Sequence, residues 1–554
     1  MSYDLSRARS RSHATLSSSK ETVQATASTL CRHQRRVVNP FIQFPRSLLQ
    51  KIFCFCLPPD IDHADLEDVF LPYTLGAVCK SWRTVVRDMP LFWTTIVIRQ
   101  ESFRLSAPVR YPEMVKDFIE RSQTLPINIF IYGMDWLKPQ DLDLQATHND
   151  RPLRQFRQLL DVIAASSSRW KHIWFEMHSH FLAYLANKRR VSRPSNLEFV
   201  HIRSTPIDRI PGAQTLPLFT PRSFQPSELS LRCYPPIKVA ANGHWANVTH
   251  VSMEDIDVLE VITFLQHTRS ALTHCKFINI NRFQGSQAQC SLPQSARLSV
   301  LSVKNLELDF RYPSTTFFDR IRFPNLEDLS LCLSEEVYSG NLRPSLLEFL
   351  GAFSLSLTIL RLLETPPCFP DLQDILIKTP SVTDLYLQDS LRHPVKMEGV
   401  WQLRQDLIIS PLIICLASTA TVSTSSNSNS SQVFLPKLQR LDISLGYTFH
   451  WSEKVIDIFG PPAELWEPNH RPLTSFSVTD SEHEQQQERK KEQEQERRKG
   501  KKPKLEDIEQ KLRHSAMRVV VLKSLLLQQA GAEITYTNRD GRDLLAAMRE
   551  RYGS

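Results

Sequence analysis

His178 and His180 flank a single serine, a spacing that points two imidazoles to one side of a strand, where both could touch one metal ion. A protein metal site needs further ligands, and no Cys or carboxylate at ligand spacing supports the pair, so surface or core histidines are the reading. Cys79 is a second group with chemistry of its own. It sits among apolar residues in Leu75-Gly76-Ala77-Val78-Cys79, where a thiol stays protonated, and is read as inert mid-helix packing. The chain has no Gly-x-Gly-x-x-Gly, Gly-x-x-x-x-Gly-Lys-Ser/Thr, His-Glu-x-x-His or Gly-x-Ser-x-Gly sequence, and only 14 glycines with which backbone could wrap a phosphate. No catalytic, metal or cofactor site is therefore expected. The chemistry that remains is association through apolar side chains: Leu48, Leu49, Ile52, Phe53 and Cys56, then Leu75, Val78, Cys79, Trp82, Val86, Leu91 and Trp93.

Short helices must position that set. Pro45 suits a first helical position, where its missing N–H costs nothing. Leu48, Leu49, Ile52, Phe53 and Cys56 then build a wide apolar stripe on a helix that Pro58-Pro59 ends. An acidic loop, Asp60 to Asp68, leads to a second helix on which Leu75, Val78, Cys79, Trp82 and Val86 recur at helical spacing, stopped by Met89-Pro90. These few turns hold more apolar side chain than they can bury among themselves, so another surface must cover it.

The Pro start, the paired apolar spacing and the Val78-Cys79-Lys80-Ser81-Trp82-Arg83 run, in this order, resemble an F-box. Phe44 stands where that family usually has Leu, and the 58–74 loop is long, an insertion similar to that of mushroom-type fungal F-box proteins. The resemblance implies that Pro45, Leu48, Leu49, Ile52, Phe53, Leu57, Leu75, Val78, Cys79, Trp82, Arg83, Val86, Leu91 and Trp93 bind a Skp-type adaptor and, through it, a cullin scaffold. Cys79 would then be no ubiquitin-carrying nucleophile. The alternative is that 44–96 is the first helical cap of a larger all-helical domain.

At 554 residues and 41% hydrophobic content the chain exceeds one ordinary domain and can bury a sizeable core. Its formal charge of +8 is modest and does not by itself argue nucleic-acid binding. Ten cysteines are scattered singly apart from Cys54 and Cys56, the pattern of reduced, buried thiols in a cytoplasmic or nuclear protein. No run is long enough for a membrane span, and the Arg/Ser-rich start reads as a disordered tail rather than a signal peptide or mitochondrial presequence.

Beyond about residue 110 one theme repeats, apolar-x-x-apolar-x-apolar. It opens at Trp170, Leu197, Val248, Leu272, Leu298, Leu326, Leu357, Val382, Leu438 and Leu473, most spacings falling between the low twenties and low thirties. Amphipathic stretches lie between, at 256–265, 345–350 and 369–376. One strand and one helix per repeat predict an α/β fold, a curved solenoid with strands on the concave side. An F-box followed by such repeats resembles the F-box/leucine-rich-repeat substrate receptors, although the family's Asn/Cys position is mostly missing. The alternative is a generic α/β domain with Leu-rich strands.

The expected organisation is a disordered tail over 1–38, the F-box over 39–98 and a leucine-rich-repeat-like domain over 99–480 with a flexible Ser/Thr/Asn insert at 419–432. A charged linker follows over 481–504, then a C-terminal helix with a closing strand and helix over 505–554. Leu505, Ile508, Leu512, Val519, Leu522 and Leu526 also suit a coiled-coil partner helix. The function implied is substrate recognition for a cullin-based ubiquitin ligase, itself non-catalytic, with an unknown target protein held by the repeats. Arg361, Tyr386 and Asp442, between strand leucines, are the first target-binding candidates. Two rivals stand beside it: a non-degradative F-box scaffold, and a nuclear nucleic-acid binder acting through the basic clusters of 488–504.

Overall fold

The computed structural model describes residues 44–57, 66–99, 111–134, 151–186, 197–204, 226–233, 245–268, 271–280, 297–310, 315–333, 342–364, 369–388, 411–419, 434–445, 457–459, 473–480, 521, 523–538 and 543–552. The tail 1–38, the insert beyond 419, the linker 481–504 with its basic clusters, and Leu505, Ile508, Leu512, Val519 and Leu522 lie outside them. The chain is mixed α/β and divides into two compact units, the first running to Thr94 with Glu120–Gln123 added, the second holding the rest.

The first unit is helical. Pro45 precedes α1 (Arg46–Cys54) as its N-cap instead of opening it: its ψ is 138°, and its carbonyl accepts the N–H groups of Leu48 and Leu49. The expected loop over 58–74 is shorter, because α2 (Leu66–Val78) begins inside it and carries Pro72. Nor does one helix run from Leu75 to Val86. Cys79 is extended (φ −160°, ψ 168°) and caps α3 (Lys80–Arg87), its Sγ accepting the Trp82 N–H at 3.4 Å. The thiol expected in mid-helix packing is thus a helix start. A 3-10 turn, Pro90–Trp93, follows.

The second unit is built on a 14-stranded sheet in which every pairing is parallel and strand order follows chain order. Its strands are β1 (Thr95–Arg99), β2 (Ile127–Met134), β3 (Trp170–Met177), β4 (Phe199–Ser204), β5 (Glu228–Cys233), β6 (His250–Glu254) and β7 (His274–Ile280). The sheet continues with β9 (Asn305–Phe310), β11 (Asp328–Leu333), β12 (Ile359–Glu364), β13 (Asp384–Gln388), β14 (Arg440–Leu445), β15 (Ser475–Asp480) and β16 (Glu533–Asn538). The two-residue β8 (Leu298–Ser299) and β10 (Ile321–Arg322) pair with each other outside it. Residue 98, the expected F-box limit, therefore falls inside β1.

Side chains alternate across a strand with period two, so in-register pairing stacks like positions into rows. One inner row runs Ile173, Val200, Leu229, Val251, Cys275, Leu306, Leu329, Leu360, Leu385, Leu441 and Phe476, and all are buried. The opening residue of the repeated theme is buried too, as at Val248, Leu272, Leu326, Leu357, Val382 and Leu438. One repeat unit is misplaced in the sequence reading. Leu301 is 61% exposed in a turn, and the strand positions are Leu306 and Leu308 with Val303 as the opening residue.

Helices return the chain between strands: α4 (Tyr111–Arg121), α5 (Arg151–Ala165), α6 (Ser179–Ala186), α7 (Val258–His267), α8 (Thr315–Arg320), α9 (Leu342–Gly351) and α10 (Phe369–Lys378). The stretches expected to be helical at 256–265, 345–350 and 369–376 lie largely within α7, α9 and α10. Asp257 caps α7 by accepting the Leu259 N–H at 2.7 Å. Phe310, Phe318, Phe349 and Phe353 stack edge to face or tilted, with centroids 5.0 to 5.2 Å apart along the series. At the C-terminus Glu533 to Tyr536 form the expected closing strand on β15, and α11 (Leu544–Tyr552) buries Leu544 and Leu545.

Thiols depart from the expectation of general burial. Cys275 and Cys332 are buried, whereas Cys54 and Cys56 are exposed, and none of these four, Cys79 or Cys415 is in a disulfide.

Candidate interaction surfaces

In the first unit the apolar set expected to bind an adaptor separates by burial. Leu49, Phe53, Val86 and Trp93 are its core. The Phe53 ring meets Trp82 edge-on at 4.8 Å and Phe92 at 6.4 Å, and Trp93 Nε1 donates to the Val86 carbonyl at 3.1 Å. Arg46 bridges to Asp88 at 2.6 Å, and Arg83 Nε donates to the Gly76 carbonyl at 2.9 Å, tying α3 to α1 and α2. Leu57, Leu75, Cys79 and Trp82 are half-buried, while Pro45, Leu48, Ile52, Val78, Arg83 and Leu91 are exposed. Phe55, 90% exposed at the C-cap of α1, is an apolar surface residue that the stripe left out, although at i+7 from Leu48 and i+3 from Ile52 it continues their exposed face.

In the second unit the outer face of the sheet is polar and aromatic, in rows set by the same register. Trp174, His201, Ser230, Ser252, Lys276, Glu307, Ser330, Arg361, Tyr386 and Asp442 follow one another from β3 to β14. The three target-binding candidates thus stand side by side. The Arg361 guanidinium lies 5.0 Å over the Tyr386 ring and pairs with Asp328, a hydrogen bond that raises its pKa. Arg440 donates to Tyr386 Oη at 3.3 Å, and burial raises the Asp442 carboxyl against the opposing pull of Arg440.

Toward β3 the face becomes aromatic. Trp174 stacks on His201 with centroids 3.7 Å apart and on Phe199 at 6.0 Å, while its Nε1 donates to Glu176 at 3.0 Å. Tyr132 lies 5.9 Å from Trp174 and carries the Arg99 guanidinium 5.6 Å above its ring. Burial first, then Arg203, lowers the His201 pKa to about 4. Its Nδ1 lies 2.9 Å from Ser230 Oγ, and its Nε2 is buried with no hydrogen-bond partner among the described residues.

Between these regions lies a shallow groove of about 340 Å³, lined among others by Phe199, Ser230, Ser252, His250, His274 and Glu307. Two serines in the central row make it, since their neighbours His201 and Lys276 are long. His250 and His274 stack at 4.2 Å beside it, and Lys276 pairs with Glu307 at 2.9 Å. On its other margin Arg232 pairs with Glu254 at 3.0 Å, yet burial, with Asp255 adding to it, leaves the Glu254 pKa raised.

His178 is buried, and its Nδ1 accepts the His180 N–H at 3.3 Å, while His180 Nε2 sits 3.5 Å from Arg157. Burial lowers both histidine pKa values. Among the described residues no three His, Cys, Asp or Glu side chains gather where a metal ion could be held, and no helix is long and apolar enough to cross a membrane. Compared with known proteins, the chain matches no family model, and no curated protein is significantly similar to it.

Proposed function

We propose that the chain is the substrate-recognition subunit of a ubiquitin ligase of the Skp-adaptor/cullin/F-box type, with residues 44–93 as the F-box and the sheet unit as a leucine-rich-repeat-like receptor for a target protein. The observation that carries this reading is the division of the N-terminal set. A small helical unit with its own aromatic core keeps Leu48, Ile52, Phe55, Val78 and Leu91 exposed. So much large apolar side chain on so few turns marks a docking surface. The sequential parallel strands, each followed by a return segment, suit a repeat architecture that presents a long row of side chains to a partner.

The mechanism is proximity. The helical unit would fix the chain to the adaptor and the sheet would hold the target, so that a separate conjugating enzyme works at high effective concentration. The chain itself would supply no catalytic group, and its place would be the cytoplasm or nucleus. Co-purification with a Skp-type adaptor tests this, using wild type beside Leu48→Glu/Ile52→Glu. Both substituted residues are exposed, so folding should survive. Adaptor recovered with wild type and lost with the variant supports the reading; none with either overturns it.

A further inference from the structure

We propose that the outer face of the sheet from β3 to β9 receives an arginine-rich segment of the target protein, its guanidinium groups stacking on the rings of Trp174 and Phe199 and pairing with Glu228, Glu254 and Glu307. The inference deepens the receptor reading and rests on it in taking the partner to be a protein.

Two independent features select a cation. The first is the aromatic platform. Ring faces carry negative quadrupole charge and attract cations, and a planar guanidinium also stacks on them. The molecule already uses this contact internally, with Arg99 over Tyr132 at 5.6 Å and Arg361 over Tyr386 at 5.0 Å. The second is charge. On the outer positions of β5 to β9 the carboxylates Glu228, Glu254, Glu307 and Asp309 outnumber the cations Arg232 and Lys276, and with Arg203 of β4, which also acts on Glu254, counted in, this face stays acidic on a chain whose formal charge is +8. Lys276 is engaged by Glu307, while Glu254 remains harder to ionise than usual despite Arg232. A further cation beside Glu254 would relieve that cost.

Shape decides between a segment and a single ion. Ser230 and Ser252 lower the floor between His201 and Lys276, which stand three strand spacings apart, or about 14 Å. That gap admits one extended chain. The groove adjoins the platform through Phe199, which lines it and stacks on Trp174. Nucleic acid would also stack on these rings, but its phosphates would meet the carboxylates.

The test is fluorescence anisotropy on the full-length chain with short labelled peptides of alternating Arg and Ser, Lys and Ser, or Glu and Ser, and with a single-stranded RNA. The Arg peptide should bind about threefold more tightly than the Lys peptide, because only the guanidinium stacks well. Glu228→Gln/Glu254→Gln/Glu307→Gln should weaken it by about tenfold or more, since three charge-assisted pairs are lost. Trp174→Leu keeps an apolar side chain but removes the ring, and should abolish the Arg-over-Lys preference. Glu348→Gln, which removes one carboxylate from α9, should change nothing. Melting curves of all variants separate lost binding from lost fold. Tighter binding of RNA or of the Glu peptide, no binding of the Arg peptide, or an unchanged affinity in the triple variant would overturn the proposal. Adaptor recovery measured in the same samples separates its failure from failure of the ligase reading.

Discussion

His201 shows how one side chain couples the outer face to stability. It is held neutral beneath Trp174, with its pKa depressed to about 4 by burial and by Arg203. In the unfolded chain it titrates near 6.5, so between the two values the unfolded state binds the extra proton and is favoured as pH falls. The resulting loss of stability is absent above about pH 6.5, grows through the interval, and amounts to about 3 kcal/mol by pH 4. Urea denaturation at several pH values should show this fall, reduced in His201→Phe; an equal slope in both would assign the acid sensitivity elsewhere. In the helical unit, Phe53→Ala should cost about 3–5 kcal/mol, because it opens the contact with Trp82 and Phe92. Leu48→Glu/Ile52→Glu should leave the melting temperature nearly unchanged while abolishing adaptor capture. At this scale the sequence marked which side chains were apolar, but not which were turned inward. Leu48 and Leu49 are neighbours with the same chemistry, and only the packing of α1 on α3 buries one and exposes the other.

Beyond about residue 110, strand identity was legible where an apolar residue opened the theme three positions before the first strand residue of the inner row; β1 fits the same pattern from Trp93 to Ile98, which falls within the segment that the F-box resemblance covers. It failed where another residue took that place. In β5 a buried proline, Pro226, stands three before Leu229, so Leu229 and Leu231 had no leucine upstream to announce them. The unit begun at Leu298 failed differently, because β8 and β10 interpose an extra pair and shift the true strand to Asn305–Phe310. Leu306→Ala should therefore cost about 2–5 kcal/mol and Leu301→Ser almost nothing, measured by thermal melting. Equal effects would restore the earlier register. Spacing alone also hid the break at Cys79, since apolar residues keep helical periodicity on both sides of an extended residue. A further device left a sequence signal outside the theme, the Thr that directly follows the opening residue at Thr249, Thr273, Thr358, Thr383 and Thr474. The carbonyls of Glu198, Ser227, Thr249, Thr273, Lys304, Glu327, Thr358, Thr383 and Gln439 each accept two successive N–H groups from the next unit, and Thr249, Thr273, Thr358 and Thr383 add their hydroxyls to the same ladder. Thr358→Val would remove one such hydroxyl bond, to the Glu327 carbonyl at 3.0 Å, and should cost about 1 kcal/mol.

For the sheet unit as a whole, strand order that follows chain order means each strand pairs only with its neighbours, and stability should be passed along from unit to unit. The acidity of the outer face belongs to this scale, since it exists only once register brings Glu228, Glu254 and Glu307 onto neighbouring strands. No window of sequence that short of the fold could display it. The same architecture makes a sharp prediction for the C-terminal end. β16 pairs with β15 over six positions from Ser475↔Glu533 to Asp480↔Asn538, and α11 buries Leu544 and Leu545 directly after it. Deleting 533–554 would leave the backbone groups of Ser475–Asp480 unpaired along one side, an edge that invites pairing with a second chain. Hydrogen exchange on the truncated protein should show protection lost in β15 and reduced in β14, with β3 to β9 unchanged, and size-exclusion chromatography should show self-association. Uniform loss of protection from β1 to β15 would instead make the sheet one cooperative unit, and the nearest-neighbour account of its stability would be wrong.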